Sequence, residues 1–122
     1  MDWSFRNDQP IYSQLIQRLT EAIVSGVYAP GEKLPSVREL ALEAGVNPNT
    51  VQRSLTELER DGLVFSQRTA GRFVTENENM IVNAKLRIAD ERVSEFLRSM
   101  KTLGCGRQEI ISLIEGAKED EE

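Results

Sequence analysis

Three residues, Gly45, Val46 and Asn47, separate two stretches that each read as amphipathic helix, and this spacing constrains the fold more than any other feature of the chain. Upstream, "SVRELALEAG" sets Ser36 and Glu39 at capping-box spacing, where each side chain can satisfy the other's backbone N–H. It also places Val37, Leu40, Ala41 and Ala44 on one apolar stripe before Gly45 ends the helix. Downstream, Asn47 is a good N-cap, and Pro48 suits the first helical position because the N–H there has no intrahelical partner anyway. "NPNTVQRSLTELERDG" then runs as a helix that buries Val51, Leu55 and Leu58 and is closed by Gly62. Two short helices joined by so tight a glycine-containing turn predict a helix-turn-helix.

The flanking sequence completes the expected architecture. In "PIYSQLIQRLTEAIVSGVYAPGEKL", Ile11, Leu15, Leu19, Ala22 and Ile23 recur at helical spacing and Gly26 supplies a stop. "APGEKLP", with Pro30, Gly31 and Pro35, reads as a turn too short to separate two cores. "LVFSQRTAGRFVTE" reads as a hairpin, Leu63 to Gln67 out and Arg72 to Thr75 back, with Gly71 taking a backbone conformation other residues resist. From Asn77 onward, Val82, Leu86, Ala89, Val93, Phe96, Met100 and Leu103 alternate steps of four and three, a heptad-type seam. Gly104 and Gly106 break it, and "RQEIISLIEGA" gives a short last helix with Ile110, Ile114 and Ala117 on one side. The closing "KEDEE" is acidic and expected to fray. The fold class is therefore mainly α with a small β-hairpin: a winged helix-turn-helix over residues 1–76 and a helical dimerisation extension over 77–122. One long and one short helix cannot hide so long a stripe alone, which makes the seam a dimer interface rather than an internal contact.

Composition narrows the function. A chain of 122 residues holds one small domain and an appendage. It has no apolar run near the roughly 20 residues a membrane span needs. "MDWSFRNDQP" lacks a basic start followed by an apolar stretch, so no secretory signal is visible and the cytoplasm is the expected location. Histidine is absent and Cys105 is the single cysteine, which removes the common zinc-ligand sets and the Ser-His and Cys-His nucleophile pairs. No catalytic residue, metal site or cofactor is expected. A net charge of −5 argues against indiscriminate attraction to polyanions, so any cationic surface must be local.

The second helix of the pair carries such a surface. At about 100° per residue, Asn49, Gln52, Arg53, Thr56 and Arg60 face away from the core stripe, and none is acidic. Glu57, Glu59 and Asp61 fall on the flanks, near a helix C-terminus whose dipole favours cations. A phosphate backbone repels a carboxylate, whereas Asn, Gln, Arg and Thr can bond phosphates or base edges in a major groove. An exposed helix face is polar in most proteins, but here the capped helix, the short helix before it and the hairpin arginines coincide. Arg68 and Arg72 flank "TAG", where an arginine can enter a narrow minor groove or bond a phosphate, the plain alternative being a solvated turn. Ser36 caps its helix, whose N-terminus also suits a phosphate, and Arg38 lies beside the apolar stripe.

The stretch "PIYSQLIQRLTEAIVSGVYAPGEKLPSVRELALEAGVNPNTVQRSLTELERDGLVFSQRTAGRFV" resembles the winged helix-turn-helix domain of the GntR family of bacterial transcription regulators. The match runs from about residue 9 to residue 75 and is dense in "GEKLPSVRELA", "GVNPNTVQRSL" and "ELERDGLV". The short helical remainder resembles the YtrA-type branch. The resemblance implies a homodimer on double-stranded DNA bearing an operator with two inverted half-sites, and a repressor as its function. It implies DNA contacts by Arg38, by Asn47, Asn49, Thr50, Gln52 and Arg53, and by Arg68, Thr69 and Gly71 at the wing. Two departures stand out: some relatives carry arginine where this chain has Pro48, and many have a second wing glycine near Ala70. Larger members append an effector-binding or aminotransferase-like domain, and the 46 residues after residue 76 of 122 are too few for one. The competing expectation is a winged-helix module that docks proteins instead of DNA, and it requires apolar or aromatic anchors that this helix face lacks.

Overall fold

The computed structural model describes residues 1–118, so the last residues of the acidic tail lie outside the described residues. Its elements are α1 (Ile11–Val24), α2 (Val37–Ala44), α3 (Pro48–Arg60), β1 (Val64–Gln67), β2 (Gly71–Val74), α4 (Glu78–Thr102) and α5 (Arg107–Gly116). This is a winged helix-turn-helix, mostly α with a two-stranded antiparallel hairpin. Among the described residues no helix is long and apolar enough to cross a membrane.

The chain forms two compact units, Met1–Lys85 and the segment from Leu86 onward. In the first, α3 packs on α1, α2 and β1. Most of the stripes anticipated from sequence meet in one core: Leu15, Leu19 and Ile23 of α1, Leu40 of α2, and Val51, Leu55 and Leu58 of α3 are all buried, with Leu63, Val64 and Val74 beside them, whereas Ile11 at the start of α1 is exposed and Ala44 at the end of α2 is half-buried. Each such side chain stabilises by roughly 1.5–3 kcal/mol on leaving water, before the entropy of ordering it is counted. Ser54 is a fully buried polar side chain beside that core. Its Oγ donates to the Tyr12 carbonyl of α1 at 3.2 Å and to the Thr50 carbonyl one turn back at 2.9 Å. Gln14 plays a similar part at the chain start, accepting from Arg6 N at 2.7 Å and donating to Arg6 O at 2.8 Å and Gln9 O at 3.0 Å. That holds the opening segment on α1, with Trp3 and Phe5 packed against the core.

Local capping explains the helix boundaries. Ser36 Oγ accepts from Glu39 N at 3.1 Å and Glu39 Oε1 accepts from Ser36 N at 3.0 Å, so both halves of the capping box form. Gly45 ends α2 at φ 68°, a left-handed conformation that glycine adopts without steric cost. Asn47 Oδ1 then accepts from Asn49 N at 2.8 Å to open α3, with Pro48 as its first residue.

The hairpin pairs Val64 with Val74, Phe65 with Phe73, Ser66 with Arg72 and Gln67 with Gly71. Leu63 and Thr75 fall just outside the strands, and Gly71 belongs to β2, a shift of one residue from the expected limits. A larger correction concerns "APGEKLP". Its central residues do not merely turn: Leu34 N donates to Arg72 O at 2.8 Å, Val74 N to Glu32 O at 2.9 Å and Gly31 N to Val74 O at 2.9 Å. An isolated two-stranded hairpin is marginal in water, and this third strip satisfies the outer edge of β2.

In the second unit, Ile110 of α5 is buried. Ile114, expected on the same covering face, is exposed, and Ala117 lies past the end of α5 as its C-cap. The seam residues of α4 are mostly exposed in the single chain: Val82, Leu86, Val93 and Phe96 are 41–55% accessible, Ala89 is exposed and Met100 is half-buried, while Leu103, just past the end of α4, is 74% accessible.

Candidate nucleic-acid interface

On α3, core and solvent separate as the helical spacing requires. Val51, Ser54, Leu55 and Leu58 are buried, while Asn49, Gln52, Arg53, Thr56 and Arg60 are exposed and Thr50 is half-buried. Asn47 is exposed at the helix start, but its Oδ1 is occupied by the cap, which leaves the amide NH2 as its outward donor. Among the described residues, none of the exposed large apolar side chains lies on α3.

Arg53 is held rather than loose. Its guanidinium carbon lies 3.6 Å from the centroid of the Tyr12 ring, and the ring belongs to α1. Stacking on an aromatic face restricts a side chain that otherwise samples many rotamers, while the planar N–H groups remain able to donate at the edge. Nothing in the helical spacing of α1 singled out Tyr12, because the pairing spans two elements distant in sequence.

Two of the three flanking carboxylates, Glu57 and Glu59, are ion-paired, and the third, Asp61, is the exposed C-cap of α3. Glu57 Oε1 lies 2.9 Å from Arg60 Nη1, one turn along the same helix, so Arg60 of the outward face is ion-paired with a carboxylate. Glu59 reaches the wing, where its Oε1 accepts from Ser66 Oγ at 2.6 Å and from Arg72 Nε at 2.5 Å. These bonds hold the Glu59 carboxyl below its ordinary range, the Ser66 hydroxyl first and Arg72 after it, against the opposing effect of partial burial. Arg72 is accordingly not a freely solvated turn residue. It is clasped to the helix, a pairing that side-chain spacing within the hairpin could not reveal.

At the wing tip, Arg68 and Thr69 are exposed and the Ala70 N–H bonds the Gln67 carbonyl at 3.1 Å to close the turn. Thr69 sits at φ 66°, the left-handed region that a β-branched residue resists. Gly71 is at φ 111°, and a Cβ there would come 3.0 Å from Lys33 Cε. Lys33 therefore runs beside the wing turn and adds a cation to it, which its place in a Pro-Gly segment did not suggest. Ser36 and Arg38 are exposed at the start of α2, joined to neither α3 nor the wing by a hydrogen bond or ion pair among the described residues. The Glu39 carboxyl that completes the cap is likewise lowered, mainly by the Ser36 backbone N–H. No group of three or more His, Cys, Asp and Glu side chains among the described residues is placed to hold a metal ion.

The sequence of this chain matches the bacterial regulatory proteins of the gntR family over residues 11–74. It is 38% identical over 118 residues to the HTH-type transcriptional regulator YhcF of Bacillus subtilis (strain 168), covering 97% of this chain and 95% of that protein. It is 40% identical over 93 residues to the HTH-type transcriptional repressor YtrA of the same organism, covering 75% of this chain and 72% of YtrA. Among solved structures, a GntR family transcriptional regulator from Listeria monocytogenes is similar with a TM-score of 0.86 and 35% identity, over 93% of this chain and all of the other. A capped helix α3 with its two acids ion-paired, a wing bonded to it and likeness along nearly the whole length agree: the chain belongs to the gntR family of bacterial regulatory proteins, DNA-binding regulators of transcription rather than enzymes.

Proposed function

We propose that this chain is a cytoplasmic, homodimeric repressor that binds an operator of two inverted half-sites, with α3 in the major groove and the wing in the minor groove. The observation that carries the DNA-facing part is the acid-free outward side of α3, where Asn49, Gln52, Arg53 and Thr56 are exposed and Glu57 and Glu59 each bond an arginine. Asn47, Asn49, Thr50, Gln52 and Arg53 present donors and acceptors suited to base edges and phosphates. Arg68, Thr69 and Gly71 form the wing contact, and Ser36 and Arg38 meet a phosphate at the start of α2. A repressor named among the relatives supports the direction of control.

Dimerisation is assigned to α4 and the residue just past its end, where Val82, Leu86, Ala89, Val93, Phe96, Met100 and Leu103 make up the heptad-spaced seam, most of it exposed in the single chain. Two copies joined by an isologous seam present two recognition helices related by a two-fold axis, which matches an inverted repeat. On this reading residues 1–76 recognise DNA and 77–122 pair the subunits. The test is selection of bound duplexes from a randomised pool, followed by Arg53→Ala. Loss of a bidentate base contact lowers affinity for the selected duplex by roughly 1–3 kcal/mol. An unchanged dissociation constant removes Arg53 from the interface, and selection of no duplex overturns the reading as a whole.

A further inference from the structure

Ser66 and Arg72 face each other across the hairpin, one rung from the Gln67–Gly71 pair that leads into the tip. A single carboxylate oxygen, Glu59 Oε1, accepts from both of them. One side chain on the recognition helix thus pins both strands of the wing at the same rung. The Arg72 and Glu59 side chains are only 20% and 29% exposed, so the pair is partly withdrawn from water. Salt screening acts on it less than on a fully exposed pair. Arg72 is one of three cations at the wing, with Arg68 and Lys33, and it is the one whose charge a carboxylate cancels.

From this arrangement we propose that Glu59 is a specificity-determining positioning residue. It fixes the wing to α3 and withholds Arg72 from phosphate, so that discrimination between an operator and random DNA depends on it. The inference rests on the DNA-binding role proposed above. Phosphate contacts strengthen binding to every sequence alike, whereas the fixed spacing of helix and wing favours only the sequence whose grooves match it. A cation left free near the wing tip raises the first contribution, and a wing left free to swing lowers the second. The clasp acts on both in the direction of selectivity.

The two partners of one ion pair then behave with opposite sign toward random DNA. The test compares the wild type, Glu59→Gln, Arg72→Gln and the double variant. The probes are a duplex selected by the wild type from a randomised pool and a scrambled duplex of the same composition, titrated over a series of salt concentrations. Glu59→Gln should bind the scrambled duplex roughly 3–10-fold tighter at low salt, with a log–log salt slope steeper by about one. Its preference for the selected duplex should fall by roughly tenfold. Arg72→Gln leaves a carboxylate unneutralised beside the phosphates and should weaken binding to both duplexes by roughly 3–10-fold. The double variant should return to wild-type affinity for the scrambled duplex while its preference stays reduced.

Thermal melts of every variant accompany the titrations. If the glutamine variants fail to fold, Ser66→Ala, which removes one arm and keeps the ion pair, should lower the preference with the salt slope unchanged. Equal weakening by Glu59→Gln and Arg72→Gln on both duplexes would show a contact that only holds the fold, and an unchanged preference in every variant would equally overturn the inference. Either result leaves the DNA-binding reading intact. A wild type that selects no duplex overturns both.

Discussion

Glu59 sits near the C-terminus of α3, where the helix dipole disfavours an anion, and beside a surface assigned to phosphate. Its bonds to Ser66 and Arg72 resolve that conflict and make the clasp pH-sensitive. The folded carboxyl titrates below its ordinary value of 4.5, the Ser66 hydroxyl being the largest cause and Arg72 the next to lower it. A group whose folded pKa is depressed contributes stability fully above its unfolded pKa and loses it as pH falls through the folded one. Between about pH 7 and about pH 3.5, wild type should therefore lose more thermal stability than Glu59→Gln. All other carboxylates titrate in both proteins, so the difference isolates this one, and parallel melting curves would refute the linkage. The acids on the α3 flanks were legible in the sequence, as was the acid-free face opposite the core. The partner of Glu59 was not, because Glu59 and Arg72 meet only once the chain has folded back on itself. Tyr12 beneath Arg53 escaped notice for the same reason.

At the scale of elements, the helices were readable because their signals are local. The capping box of Ser36 and Glu39, the αL glycine at position 45 and the Asn47–Pro48 start each act within one turn of backbone. The strip beside β2 was not readable, since Gly31, Glu32 and Leu34 join it through backbone atoms that leave no side-chain pattern. The start of α3 combines two demands on one residue: Asn47 caps the helix through Oδ1 and is also proposed to meet DNA. Asn47→Asp separates them. Aspartate is an equally good cap and its charge favours a helix N-terminus, so stability should stay within about 0.5 kcal/mol of wild type or rise. Operator affinity should fall by roughly tenfold, because the new carboxylate meets phosphate. Melting curves and a duplex titration check the two halves, and retained affinity would place Asn47 outside the interface.

For the molecule as a whole, a net charge of −5 coexists with an outward side of α3 that carries no acid, the neighbouring Glu57 and Glu59 each being paired with an arginine. The apolar stripe of α4 was visible as a heptad seam, and its exposure in the single chain is what a subunit interface requires. Phe96→Asp puts a charge in the middle of that seam, where association would bury it without a partner. Sedimentation should find the wild type dimeric and the variant monomeric with its helix content retained, while an intact dimer would move the interface elsewhere. The central claim is that α3 and the wing meet DNA, and the most direct measurement is amide chemical-shift mapping with a selected duplex. The largest shifts should cluster at the start of α2, over residues 47–56 of the α3 region and at the wing turn, residues 66–72. Shifts confined to the outer face of α2 around Leu42, or no change on adding duplex in dilute buffer, would contradict that claim.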